Sequence, residues 1–223
     1  MTEQHAKIWM DPTSLPFLEF REKYKDKADC KDVAYEMLRN FCLPFPGCDP
    51  IQLVIERAEI SDGYDFLKVV PADDLIVERI IEPLRVARIC YCLGHYGASI
   101  AMAGTACEMA ALFIHELLDK EKASSWTGQG QRLKQLKAFA EVPKDFLDNA
   151  DFVREERNKY MHVLETDNLW AEHNSHDVLW AALKAIDSLF SLKPTEQPGA
   201  LGMSSGLIQE YLKEQGVITD VVT

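Results

Sequence analysis

Nine consecutive residues from position 154 to 162, Arg-Glu-Glu-Arg-Asn-Lys-Tyr-Met-His, bring together side chains suited to a phosphodiester. An imidazole with an ordinary pKa near 6.5 moves protons close to neutral pH. A guanidinium grips a phosphate through two parallel N–H bonds and steadies its developing negative charge. Arg157 and His162 therefore stand out as candidate site residues, with the polar Asn158 and the cationic Lys159 between them. Such a set suits attack of an RNA 2′-hydroxyl on the adjacent phosphate without a metal. On a helix turning about 100° per residue, Asn158 and His162 lie about 40° apart and Arg157 and His162 about 140° apart, so the last two are flanking groups. A purely structural reading of the same residues is a solvated helix face with a Glu155–Lys159 pair and a histidine placed favourably near a helix C-terminus.

Other chemistries find little support. His162, His173 and His176 have only Glu172 and Asp177 nearby in sequence and no cysteine to complete a metal set, so no metal is expected. Neither a G-x-S-x-G elbow nor a G-x-x-x-x-G-K-[ST] phosphate loop occurs, and no cofactor is expected.

The chemistry-bearing run needs a scaffold, and helical periodicity supplies it. Residues 95–122 carry Ala103, Cys107, Ala110, Ile114 and Leu117 at the spacing of one buried face. A loop rich in serine and glycine follows, then a short helix over 132–140 with Leu133, Leu136 and Phe139 on one side. Pro143 opens a third helix over 144–164, with Phe146, Leu147, Ala150, Val153 and Tyr160 facing inward. A polar loop over 165–175 and a fourth helix over 177–192 complete the set. The expected fold is mainly α: a four-helix bundle over residues 94–192, an N-terminal α or α+β extension over 1–93, and a tail over 193–223 with one short helix at 206–214. Within the extension, 1–16 reads as an irregular arm and 18–41 as a helix. Residues 51–60 and 64–70 read as a hairpin turning at Asp62-Gly63, with a helix through 54–58 as the competing reading. Asp73 or Asp74 caps a following helix that Pro83 kinks or ends.

Arg157-Asn158-x-x-x-His162 late in the third of four helices, after a first helix rich in small residues and a short second one, resembles the HEPN superfamily over about 100 of the 223 residues. The resemblance implies a helical bundle that forms a homodimer, with two Arg/His pairs lining one cleft. It also implies metal-independent endoribonuclease activity, often in a toxin or defence effector with an antitoxin or other protein partner. The alternative within the same superfamily is a non-catalytic scaffold for dimerisation and protein or nucleotide binding. Family members often place a polar or acidic residue of the first helix beside the motif. Glu108, the lone charge in an apolar stretch, fills that place here; paired with Arg157 its burial is tolerable, unpaired it is costly. Leu164 stands where some toxin families of the group carry a tyrosine two residues after the histidine.

Charge and composition set the context. A net charge of −12 repels nucleic acid and anionic membranes at long range. Residues 120–159 hold nine Lys and Arg against seven Asp and Glu, or +2, leaving −14 elsewhere, so this stretch is the least hostile to an anion. Residues 1–11 show no apolar leader segment, and the six cysteines are expected as reduced thiols in a cytoplasmic protein. Residues 89–107 lack Asp, Glu, Lys and Arg, yet Gly94, Gly97 and Gly104 point to a buried helix interrupted near Gly94 rather than to a membrane span.

Overall fold

Pro50, whose missing N–H costs nothing in a first helical turn, opens α1 (Pro50–Asp62) in a computed structural model that describes residues 8–10, 50–62, 69–123, 127–162, 168–194 and 201–217. Val54, Ala58 and Ser61 are buried at i, i+4 and i+7, and Gln52 donates to Glu56 one turn on at 3.0 Å. That amphipathic spacing overrides the β-branched residues, and the segment is a helix rather than the first strand of a hairpin. The strand Val69–Pro71 (β2) pairs instead, antiparallel, with Ile8–Met10 (β1), so part of the arm expected to be irregular is a strand. The helix expected over 18–41 lies outside the described residues, as do Cys30, Cys42, Cys48 and the turn residue Gly63.

Asp73 caps α2 (Asp74–Ile76) by accepting the Ile76 N–H at 3.0 Å. A single π-helical turn, Val77–Ile81, then leads into α3 (Glu82–Cys92), with Pro83 in its first turn. The wide turn sits immediately ahead of the one residue that has no N–H to donate, so the helix neither stops nor breaks at the proline. α3 ends at Gly94, whose φ of +80° suits glycine. The Gly94 N–H reaches Tyr91 O at 3.0 Å and the His95 N–H reaches Cys90 O at 2.8 Å, a Schellman closure. The uncharged run 89–107 is thereby divided between α3 and the next helix, α4 (Tyr96–Leu118).

α4 is the central element. Against it pack α3, the π turn, α6 (Gln129–Leu136), α7 (Lys144–His162) and α8 (Asn168–Phe190), while α5 (Lys120–Ala123) continues from its end. By length and apolar composition α4 alone among the described helices would suit a membrane, but 56% of that window is buried inside the fold. His115, fully buried in its last turn, lies 3.2 Å from the Arg132 guanidinium of α6. Because arginine has no acceptor, that ring nitrogen is the acceptor and the imidazole is neutral.

α8 begins at Asn168, nine residues before the start expected from sequence, and takes in most of the segment read as a polar loop. Ala171, Ser175, Val178, Ala182, Ala185 and Leu189 form its buried stripe, and small residues at four of those six places hid the period. β3 (Leu192–Pro194) and β4 (Leu201–Met203) form a second two-stranded ribbon. α9 (Gly206–Glu214) then returns to the core through Ile208 and Leu212. The buried cluster runs without a break from Val54 to Leu212, across both of the boundaries drawn from the sequence. The chain is mainly α. Trp180 is partly exposed under the Lys184 ammonium at 5.2 Å.

Tyr211 on α9 packs edge-on against Phe113 of α4, ring centroids 5.1 Å apart, and its hydroxyl donates to Asp73 at 3.3 Å. Burial first, and then the Asp73 carboxylate, push the Tyr211 phenol above its ordinary pKa of 10.0. A raised phenol pKa contributes stability that is fully present below the ordinary value and is lost as pH rises through the folded one. Thermal unfolding across pH 9 to 12 should therefore show an alkaline loss of stability that Tyr211→Phe makes shallower. Asp73→Ala, which removes both the cap and this acceptor, should cost about 1–2 kcal/mol, whereas Asp74→Ala at the exposed neighbour should cost little.

Candidate functional site

α7 buries Phe146, Ala150 and Val153 at i, i+4 and i+7, and the same stripe continues through positions 157 and 160. Arg157 and Tyr160 therefore occupy the last two places on the face that meets α4. Neither fits against an ordinary helix surface, and α4 presents glycine at both points of contact. A β carbon on Gly104 would lie 2.3 Å from Arg157 Cδ, and one on Gly97 would lie 1.9 Å from the Tyr160 hydroxyl. Since the later α7 residue meets the earlier α4 residue, the two helices run antiparallel.

Seated over Gly104, the Arg157 guanidinium reaches one turn further along α4 and donates from Nη1 to Glu108 Oε2 at 2.9 Å. The Arg157 side chain is 21% exposed and that of Glu108 44%, so the pair sits at the rim of the helix contact, open to water on one side. Beneath it Cys107 is fully buried; burial pushes its thiol up to about 12, against a smaller opposing pull from Arg157.

The other members of the run lie elsewhere on the helix. His162 is the last residue of α7 and is exposed, about 140° around the axis from Arg157. Asn158 is half-buried. Lys159 is exposed and donates at 2.5 Å to Glu156, whose hydrogen bond and charge raise the lysine pKa. Lys159 thus pairs with the buried Glu156, three residues back, while Glu155 bonds Arg154 at 3.2 Å. The Glu155–Lys159 pair expected from helical spacing is not the one that forms.

The structure brings Glu108 and Arg157 together and leaves His162 on a different side of α7. Cations of the stretch with least negative charge are spread among ion pairs rather than gathered. Lys144 meets Asp148 at 3.0 Å, Lys137 meets Asp151 at 4.0 Å, and Arg154 meets Asp151 at 2.9 Å. His176 lies 3.1 Å from Asp177 on α8, and both it and His173 are helical rather than in a loop. Among the described residues no three His, Cys, Asp or Glu side chains are grouped to hold a metal ion. Cys90, Cys92 and Cys107 are free thiols.

Tyr160 was expected to face inward, but Gly97 and Gly104 were missed as the places that receive it and Arg157. Their signal was present in the spacing: two glycines seven residues apart face two large side chains three apart on an antiparallel partner.

Gly104→Ala tests the seat. A methyl there overpacks Arg157, a change that typically costs about 1–3 kcal/mol, against roughly 1 kcal/mol that alanine gains over glycine within a helix. Denaturant unfolding should show a net loss on the order of 1 kcal/mol. In the Gly104→Ala background, Glu108→Gln should cost less than it does in the parent, because the ion pair is already displaced.

No family model, curated protein or solved structure matches this chain.

Proposed function

We propose that the chain is a metal-independent endoribonuclease of the HEPN type, acting as a homodimer, with Arg157 binding the scissile phosphate and His162 transferring the proton. The observation that carries this reading is the Arg157–Glu108 pair on the helix that ends in the exposed His162. The guanidinium is held in one orientation through a single N–H, its remaining donors uncommitted to Glu108, and the imidazole five residues on, around the helix, is in contact with water. An acidic side chain from the first helix of the bundle beside the motif arginine is also what the family resemblance implies.

In the reaction, His162 accepts the 2′-hydroxyl proton as the 2′-oxygen bonds to phosphorus. Arg157 stabilises the added negative charge, and the bond to the 5′-oxygen breaks, leaving a 2′,3′-cyclic phosphate. The 5′-oxygen takes its proton from a second, protonated imidazole. A second copy of the chain supplies that group, and the angle of about 140° between Arg157 and His162 favours a cleft completed from two chains over one within a single helix bundle. Asn158 orients His162 from the same side of α7, and Lys159 contributes a further phosphate contact once released from Glu156. An antitoxin or other protein partner covering this cleft is consistent with the acidic chain and with the pairing of Lys137, Lys144, Arg154, Arg157 and Lys159 to acids.

That dispersal of cations into ion pairs favours the second reading, a non-catalytic scaffold in which Arg157–Glu108 is structural. Incubating purified protein with mixed RNA in EDTA, beside Arg157→Ala and His162→Ala, decides between them. The enzyme reading expects cleavage without metal, reduced at least about 100-fold in each variant with the helical circular dichroism intact. A well-folded dimer that leaves several RNAs uncut would give the scaffold reading instead.

A further inference from the structure

The last turn of α7 carries His162, yet little holds that turn in place. Of its four residues, Lys159, Met161 and His162 are exposed, Met161 by 58%. A terminal helical turn has no intrahelical partners for its carbonyls, and without packing it frays. Only Tyr160 is turned inward. Its ring packs against the hydrophobic core, and its end lies directly on the backbone of the first turn of α4. The β carbon absent from Gly97 would fall 1.9 Å from the hydroxyl, 2.4 Å from Cζ and 2.8 Å from Cε1. The ring itself, and not the hydroxyl alone, fills the space. Arg157, one turn earlier, has its own fixings in Gly104 and Glu108 and does not depend on this contact.

We infer that Tyr160 is a positioning residue whose ring, seated in the notch left by Gly97, fixes the final turn of α7 and so sets where His162 stands. This rests on the reading of His162 as the proton-transfer group. The part concerning the helix end stands independently of it.

The device has a specific consequence. Substitutions at position 160 and at position 97 act on the same contact from opposite sides. Tyr160→Ala empties the notch, and Gly97→Ala fills it and expels the ring. Tyr160→Phe keeps the ring and loses only the hydroxyl. Both disruptive changes should release residues 159–162 and leave the Arg157–Glu108 pair in place.

Two measurements on the full chain test this. The first is amide hydrogen exchange resolved to single residues. Exchange at 159–162 should quicken at least about 10-fold in Tyr160→Ala and Gly97→Ala, remain near the parent rate in Tyr160→Phe, and be unchanged over 146–156 in all three. Unchanged exchange at 159–162 in both disruptive variants overturns the inference, whatever the protein does to RNA. The second is steady-state RNA cleavage in EDTA. A displaced proton-transfer group lowers kcat, by about 100-fold for a displacement near 1 Å, while KM stays close to the parent value because Arg157 still holds the phosphate. Tyr160→Phe should restore kcat. Loosened exchange with kcat unaltered overturns the link to His162. A parent protein that cuts no RNA refutes the ribonuclease reading, and the exchange measurement still decides the role of Tyr160.

Discussion

Everything near the candidate site depends on how closely α4 and α7 approach. Two helices of ordinary composition keep their axes roughly 8–10 Å apart, because side chains on both must interleave. Here α4 offers no side chain at positions 97 and 104, and α7 sends its two largest stripe residues into the space. The contact is asymmetric: bulk from one helix against bare backbone of the other. It lets a guanidinium lie flat enough across α4 to meet a carboxylate one turn away. It also makes the ion pair a product of packing, since Arg157 reaches Glu108 only because Gly104 lets its methylene stem pass.

The chemical balance at that rim is finely poised. Glu108 neutralises Arg157 at a position still open to water, where an ion pair adds little net stability. A phosphate placed there would meet a guanidinium already oriented but also a carboxylate of its own sign. With −12 overall and five of the nine cations of residues 120–159 paired with acids, long-range attraction for RNA is weak, and any affinity must come from contacts at close range. Lys159 illustrates this, since its ammonium is committed to the buried Glu156, and moving it to a ligand would leave that carboxylate without its bond.

The sequence disclosed the helices best where large apolar residues marked the period, as with Phe146, Leu147 and Val153, and the start of α7 followed from Pro143. It was least informative where small residues carry the stripe. Ala171, Ser175 and Ala182 are buried in α8, yet they give a weak apolar signal, and the polar Glu, His and Asn residues among them resemble a loop. Ile51 to Ile60 misled in the other direction, because β-branched residues favour strands locally while the spacing of Val54, Ala58 and Ser61 decided for a helix. Of the site, the residue types in the run 154–162 and the candidacy of Glu108 were legible, and so was the angular separation of Arg157 and His162. The choice of Glu156 over Glu155 as the partner of Lys159 was not, because it depends on tertiary burial: Glu156 is buried, while Glu155 stays exposed and bonds Arg154.

Tyr211 and Asp73 are separated by 138 residues, and the hydroxyl–carboxylate bond between them ties the last described helix to the first turn of the π-interrupted one. As the chain leaves the ribosome, α4 emerges long before α9 exists to cover Phe113. For that interval one flank of the most apolar of the described helices faces water or a chaperone. A nascent chain halted before residue 206 therefore presents the apolar surface that quality control recognises.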